Sequence, residues 1–365
     1  MTNPSTAQFP GPFSLSYSPQ IPELLQRLNC SLALTTYQAG KFIFLSAKDE
    51  NQLVQLPRNF NKPMGFSFSA DFKKMALATR DEVTVFAGSA GLAKHYPKSP
   101  GTYDMLYMPR ATYHTGALDV HDIHFGEAGK LYAVNTLFSC IVTLDDDYNF
   151  TPFWMPPQIT ELASEDRCHL NGMAMQNGKP KYATAFNTGN SPQSWRENIT
   201  QTGVIYDVET NEILAEGLAM PHSPKLYNGK LYVLLSAKGQ LVEINTTTGN
   251  VQLVTQLNGF LRGMTLVGDY LFIAHSKLRK NSSTFAKLPF ADKADSCGII
   301  ALHLPTAAIA GQITYTSSVD EIYDIHALPL YIRPNILNTL TSDFKHGLST
   351  PQATYWALNQ PENEQ

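Results

Sequence analysis

The chain has 365 residues, 43% of them hydrophobic, with a formal charge of -4 and a pI near 6.2. That is enough apolar material for a large core, and the length suits one closed all-β domain. The weak net charge excludes a general attraction to nucleic acid or to an anionic membrane.

Met1 to Pro12 is polar and proline-rich, with no basic start followed by an apolar run, and no later stretch is long enough to span a bilayer. A cytoplasmic location is the default expectation. Residues 1–30 read as an N-terminal arm, with one short helical turn at Pro22 to Leu28. Cys30, Cys140, Cys168 and Cys297 are far apart and lack metal-ligand spacing, so buried reduced thiols are expected.

From here one pattern recurs. Short segments led by His, Arg or Pro precede hydrophobic hairpins at Lys62-Pro63-Met64-Gly65-Phe66-Ser67, Val120-His121-Asp122-Ile123-His124-Phe125, Cys168-His169-Leu170-Asn171-Gly172-Met173, Pro221-His222-Ser223-Pro224-Lys225-Leu226 and Leu261-Arg262-Gly263-Met264-Thr265-Leu266. A less regular sixth copy is Ile322-Tyr323-Asp324-Ile325-His326-Ala327. Alternating strands and Asn/Asp/Gly turns follow, as in Leu226-Tyr227-Asn228-Gly229-Lys230-Leu231-Tyr232. Such a period predicts a radial repeat in which each inner strand starts at a shared axis: an all-β, six-bladed β-propeller over residues 31–333. Leu32 to Pro57 holds strands without an axial segment, and Glu321 to Leu328 is an axial segment without further strands. The C-terminal inner strand is therefore expected to pair with the N-terminal blade and close the ring. Residues 334–365 read as a surface tail.

Three connections exceed what a blade needs: Pro97 to Leu118, Asn187 to Thr202 and Ser276 to Ser296. They are expected to gather over the face where His121, His169, His222 and Arg262 emerge. The three histidines come from consecutive blades. They are candidate catalytic groups and candidate ligands of a divalent metal, with Asp119 or Asp122 able to complete a site. The competing structural reading has each imidazole tying blades together through backbone hydrogen bonds. No local His-x-x-x-His or paired-Cys spacing supports a metal. His124, three residues from His121, points to the other strand face and is expected between blades. Asn171, Ser223, Asp324 and Glu321 are channel candidates, and Arg262 is the natural clamp for a carboxylate, phosphate or sulfate. The loops add Tyr103, Tyr107, Arg110, Tyr113 and Trp195-Arg196, plus a basic run with Lys277, Arg279, Lys280, Lys287 and Lys293. Of these, Arg110, Trp195 and Arg279 are candidate ligand contacts, suiting an anionic sugar or planar ligand or a protein interface. No Gly-x-Ser-x-Gly elbow, phosphate loop, dinucleotide fingerprint or zincin helix is present.

The strings Leu34-Thr35-Thr36-Tyr37-Gln38-Ala39-Gly40-Lys41, Val134-Asn135-Thr136, Phe138-Ser139-Cys140, Asp166-Arg167-Cys168-His169-Leu170-Asn171-Gly172, Met220-Pro221-His222-Ser223-Pro224 and Arg262-Gly263 resemble a bacterial family of conserved hypothetical proteins. The resemblance spans nearly the whole chain. It implies a six-bladed propeller, an association with tetratricopeptide-repeat, sulfotransferase and glycosyltransferase modules, and attention to His121, Asn135, His169, Asn171, His222 and Arg262. It implies no reaction.

Two functions fit these residues. One is an enzyme at the channel mouth acting on a small or polymeric anionic substrate of acidic-sugar type, abstracting a proton as a lyase or epimerase does, with or without a divalent metal. The other is a non-catalytic propeller that binds a protein partner or ligand through the same loops.

Overall fold

The computed structural model describes residues 11–278, 288 and 294–357. Six antiparallel sheets form a ring of six blades, as the repeat predicts. Blade 1 takes its inner strand, Asp324–Pro329, from the C-terminal part of the chain and its other three, Cys30–Thr36, Lys41–Ala47 and Leu53–Asn59, from the N-terminal part. The register Leu32↔Ala327 and Leu34↔Ile325 closes the ring at the expected place. The inner strands of blades 2 to 6 are Phe66–Phe68, Val120–Phe125, Leu170–Gln176, Pro221–Tyr227 and Phe260–Val267. Each contains one of the axial segments or begins within it.

The chain on either side of the ring is built into it. Leu15–Tyr17 adds a fifth strand to the outer edge of blade 6, and the helix Gln20–Arg27 buries Ile21, Leu24 and Leu25 against the core. Pro334–Ile336 adds a fifth, parallel strand to the outer edge of blade 2, with Asn335 and Ile336 fully buried. Three-residue strands are too short to show a period, which is why these segments read as an arm and a tail.

Pro97 to Leu118 is not a long loop. It contains Met105–Tyr113, the outer strand of blade 2, and the connection before it runs on the face away from the histidines. Tyr107 there is buried and donates its hydroxyl to the Phe72 carbonyl at 2.8 Å, and Tyr103 packs on Tyr96. Pro109 in the middle of this strand hid it, and an outer strand tolerates proline because one edge needs no ladder bonds.

Two devices hold blades together. Where the second strand of a blade ends, a hydroxyl donates to the inner strand or axial segment of the next: Thr35 to Met64 O (2.7 Å), Thr136 to Leu170 O (2.6 Å), Ser236 to Leu261 O (2.5 Å) and Ser276 to Ile322 O (3.2 Å). Around the axis, blades 1, 3 and 5 present a polar side chain, and blades 2, 4 and 6 present a glycine. Asp324 accepts from Phe66 N (3.5 Å), Asp122 from Met173 N (2.9 Å) and Ser223 from Gly263 N (2.9 Å). A Cβ on Gly65 would lie 2.7 Å from the His121 carbonyl oxygen, and one on Gly172 would lie 2.7 Å from Pro224.

All four cysteines are buried and free. Burial pushes the thiols of Cys30, Cys140 and Cys168 up to about 12, which makes them inert. Among the described residues no helix is long and apolar enough to cross a membrane.

Gly65→Ala meets backbone rather than a side chain that can turn away, so a loss of about 1–3 kcal/mol is expected. Urea unfolding followed by circular dichroism measures it.

Candidate functional site

At the channel mouth, where the inner strands begin, the blades surround a cavity of about 510 Å³ lined by His121, His169, His222 and Arg262 together with Asp119, Asp166, Trp195 and Tyr323. The inner strands supply His121, His222 and Arg262, and the residue just ahead of the blade 4 inner strand supplies His169, because each axial segment sits where its strand turns toward the axis. The loop after the second strand of blade 4 supplies Gln193, Trp195 and Arg196, and Ser276 to Leu278 begin the corresponding loop of blade 6. Of the three expected loops, Asn187 to Thr202 therefore stands over this face, and of Ser276 to Ser296 the first three residues line it.

The three imidazoles share one hydrogen-bond arrangement. Nδ1 of His121 faces the Asp119 carbonyl (2.9 Å), and Nδ1 of His222 faces the Met220 carbonyl (3.1 Å) and the Ser236 hydroxyl (2.7 Å). Nδ1 of His169 faces both oxygens of the Asp166 carboxylate, each at 3.0 Å. Such partners place the proton on Nδ1 and leave Nε2 as an acceptor. No described residue hydrogen-bonds Nε2 of any of the three.

His169 is the most firmly oriented. Asp166 also accepts from Trp195 Nε1 at 2.8 Å, and the Trp195 ring lies on the imidazole with centroids 4.3 Å apart. Arg196 covers Trp195 at 4.4 Å from the ring centroid. Trp195, expected as a ligand contact, thus has partners for its ring and its N–H inside the protein and acts by positioning His169. The neighbouring Arg167 fixes this corner through Glu161 (2.9 Å), Glu165 (2.8 Å) and Asn190 (2.9 Å). Asp119, Asp166, His169, Gln193 and Met220 all hold left-handed φ between 48° and 54°. Unfavourable backbone conformations gather here, as they do where side chains must be aimed.

A chain of contacts crosses the cavity. His169 meets His121 edge-to-face with centroids 4.9 Å apart, His121 meets Tyr323 at 5.7 Å, and the Arg262 guanidinium lies 3.5 Å from the Tyr323 ring centroid. Tyr323 takes in blade 1 the place that His121 takes in blade 3, which the aligned Tyr323-Asp324-Ile325-His326 and His121-Asp122-Ile123-His124 already contained. Arg262 makes no hydrogen bond or ion pair with any described residue. The Tyr323 hydroxyl is buried and also has no described partner. Burial raises it well above the ordinary tyrosine range against the pull of Arg262, so it stays a neutral donor.

Burial is also the main influence on the histidines. It pulls His121 down to about 4 despite Asp119, and pulls His222 well below the ordinary range with Arg262 acting in the same direction. Burial works to raise the Asp119 carboxyl, but the cationic forms of His121 and His169 and the Arg262 charge hold it below the usual range.

Other candidates sit elsewhere. Asn171 and Ser223 line a small polar cavity of about 20 Å³ below the main one, shared with Asp122, Lys225 and Asp324. Asn171 accepts from Thr184, and Ser223 is a blade tie. Asn135 is fully buried in a turn, where it accepts from Phe138 N. Arg110 is exposed on the outer strand of blade 2, beside Ser349. Arg279, Lys280, Lys287 and Lys293 lie outside the described residues. His124 is not packed between blades: it meets Asp122 at 3.1 Å and Lys225 at 3.3 Å in the lower channel. His121 and His124 do not share a site, as their spacing required. Glu321 lines the mouth and accepts from Gln38 N. Among the described residues no three His, Cys, Asp or Glu side chains are grouped to hold a metal ion. Asp166 is the functional neighbour that the spacing of the histidines did not single out.

A ring of six blades, four of four strands and two extended to five, with a polar mouth defines the class: a β-propeller with a candidate site on its axis. Residues 19–337 match the family model described as Domain of unknown function (DUF4915), and the chain belongs to that family. No curated protein matches the sequence. Among solved structures, a chain from the nidogen/laminin complex is similar at TM-score 0.53 and 13% identity, over 82% of this chain and 98% of that one. TolB from Acinetobacter baumannii aligns at TM-score 0.49 and 12% identity, over 84% of this chain and 66% of its own. A catalytically inactive virginiamycin B lyase from Staphylococcus aureus, crystallised with quinupristin, aligns at 0.39 and 13%, over 83% and 99%. At these identities the likeness concerns the fold.

His121 and His222 give up their protons more readily folded than unfolded. Between about pH 6.5 and 4 the unfolded chain therefore binds more protons, and stability falls as pH falls. The urea midpoint is expected to drop across this range in the natural protein and to drop less in His121→Gln. A flat profile would mean that these imidazoles are not buried neutral.

Proposed function

We propose that the protein is an enzyme that binds a small anionic substrate at the channel mouth and abstracts a proton from the carbon next to its carboxylate, as a lyase or epimerase does. One observation carries this reading: an imidazole backed by a carboxylate stands three contacts, through His121 and Tyr323, from a guanidinium that makes no ion pair or hydrogen bond with any described residue. A partly buried, unpaired Arg is costly unless an anion completes it. Arg262 can hold a carboxylate through paired N–H bonds, with the Tyr323 ring fixing its plane.

In this reading Nε2 of His169 accepts the proton, and Asp166 offsets the imidazolium charge that forms. The electron pair moves onto the carboxylate as an enolate, and Arg262 stabilises the charge that develops there. The pair then either takes a proton back from the His169 imidazolium, whose proton exchanges with solvent, or expels a group from the next carbon, which leaves with that proton. The sulfotransferase and glycosyltransferase association implied by the resemblance supports an anionic substrate, and four buried free thiols support a reducing, cytoplasmic setting.

The test is incubation in D₂O with uronates, hydroxy acids and aryl-substituted acids, followed by NMR. Deuterium is expected at the carbon beside the carboxylate, and His169→Gln should slow its entry by roughly 10²–10⁴-fold with unchanged circular dichroism. Ligand binding without exchange for any compound would overturn catalysis and leave a ligand-binding propeller. Near-stoichiometric metal in the purified protein, lost when His121, His169 and His222 are all changed to Ala, would transfer the stabilising role from Arg262 to that metal.

A further inference from the structure

The cavity wall is less suited to a sugar than its histidines suggest. Leu137, Phe260 and Leu278 contribute a partly exposed apolar surface from blades 3 and 6, with Met64, Phe186 and Met220 buried behind it. Several polar groups around it are engaged with one another, which leaves the three Nε2 atoms and the Tyr323 hydroxyl, beside Arg262, as groups that no described residue pairs. Nδ1 of His121 and of His222 bind backbone carbonyls, and Asp166 is taken by His169 and Trp195. Arg196 Nε donates to Gln193 at 2.9 Å, and Lys277 pairs with Asp320 at 2.5 Å. Neither the ring nor the N–H of Trp195 is free to receive a sugar face.

A polyhydroxylated ligand would bury each hydroxyl beyond the few that the Nε2 atoms and the Tyr323 hydroxyl can pair at a cost of about 1–3 kcal/mol. An apolar body gains about 25 cal/mol for each Å² it removes from water. At one point the balance reverses: Arg262 offers a guanidinium without an ion pair among the described residues, seated on Tyr323.

We infer that this cavity binds a carboxylate carrying an apolar body, an aryl- or alkyl-substituted small acid rather than an acidic sugar, with the carboxylate on Arg262 and the body against Phe260 and Leu278. The inference rests on the proposed function only in taking the ligand to be anionic. It concerns binding and requires no turnover.

Isothermal titration calorimetry near neutral pH, with phenylacetate, hexanoate, glucuronate and uncharged phenethyl alcohol, tests it on the full chain. Phenylacetate and hexanoate are expected to bind at least about tenfold more tightly than glucuronate, and phenylacetate about tenfold more tightly than phenethyl alcohol. The heat capacity change for phenylacetate should be negative. In Arg262→Gln the advantage of phenylacetate over the alcohol should disappear. Glucuronate binding as tightly as phenylacetate, equal binding of acid and alcohol by the natural protein, or no binding by any of the four would overturn the inference. The comparisons on the natural protein decide even if the variant does not fold. Binding as expected without deuterium exchange would remove the catalytic reading and keep this ligand class. Exchange on a uronate without binding of the apolar acids would do the reverse.

Discussion

The ring depends on close approach at its axis. Six inner strands cannot all carry side chains into one narrow channel, and this chain resolves the crowding by alternation. Asp324, Asp122 and Ser223 come from blades 1, 3 and 5, while Gly65, Gly172 and Gly263 come from blades 2, 4 and 6. Each polar side chain takes a backbone N–H on the next blade, and each glycine leaves room for the backbone or side chain of the blade after it. A buried carboxylate that accepts such bonds stabilises only while ionised. Burial alone would raise Asp122, but His124 and Lys225 hold it well below the ordinary range.

That packing sets the geometry above it. With the inner strands pinned below, the residues just ahead of them are turned outward through left-handed backbone at Asp119, His169 and Met220, and the imidazoles converge on one cavity. The histidines serve both readings that the sequence left open. Their Nδ1 atoms bind backbone or carboxylate groups, and their Nε2 atoms remain unpaired by described residues. His222 shows this double use best: its Nδ1 partner Ser236 is also the hydroxyl that ties blade 5 to Leu261 of blade 6.

How much could be read in advance follows from how local each signal is. The axial segments and Asn-Gly turns repeat within a few residues of one another, so blade number and ring closure were legible in the sequence. So was the convergence of His121, His169, His222 and Arg262, because equivalent positions in a radial repeat must meet at the axis. Asp166 and Tyr323 were present in the same motifs but carried no chemistry on their own. Each acquires meaning through a partner distant in sequence: Trp195 donates to Asp166, and Arg262 lies over Tyr323. Arg110 and Asn135 show the reverse error. Arg110 was a candidate by residue type and Asn135 through the family resemblance, whereas the pairing of Met105–Tyr113 and the bond from Phe138 N place them away from the cavity.

By itself, the sequence determined the all-β repeat, the six blades, the closing strand and the four residues that face the axis, because hydrophobic alternation and turn chemistry act over neighbouring positions. Only the tertiary structure decided which polar groups already have partners. It turned Trp195 from a ligand platform into the support of His169, kept Arg262 free of ion pairs with the described residues, and set apolar side chains beside the polar ones in the cavity wall. Whether a side chain is satisfied or available depends on atoms brought together from different blades, and no spacing along one strand contains that information.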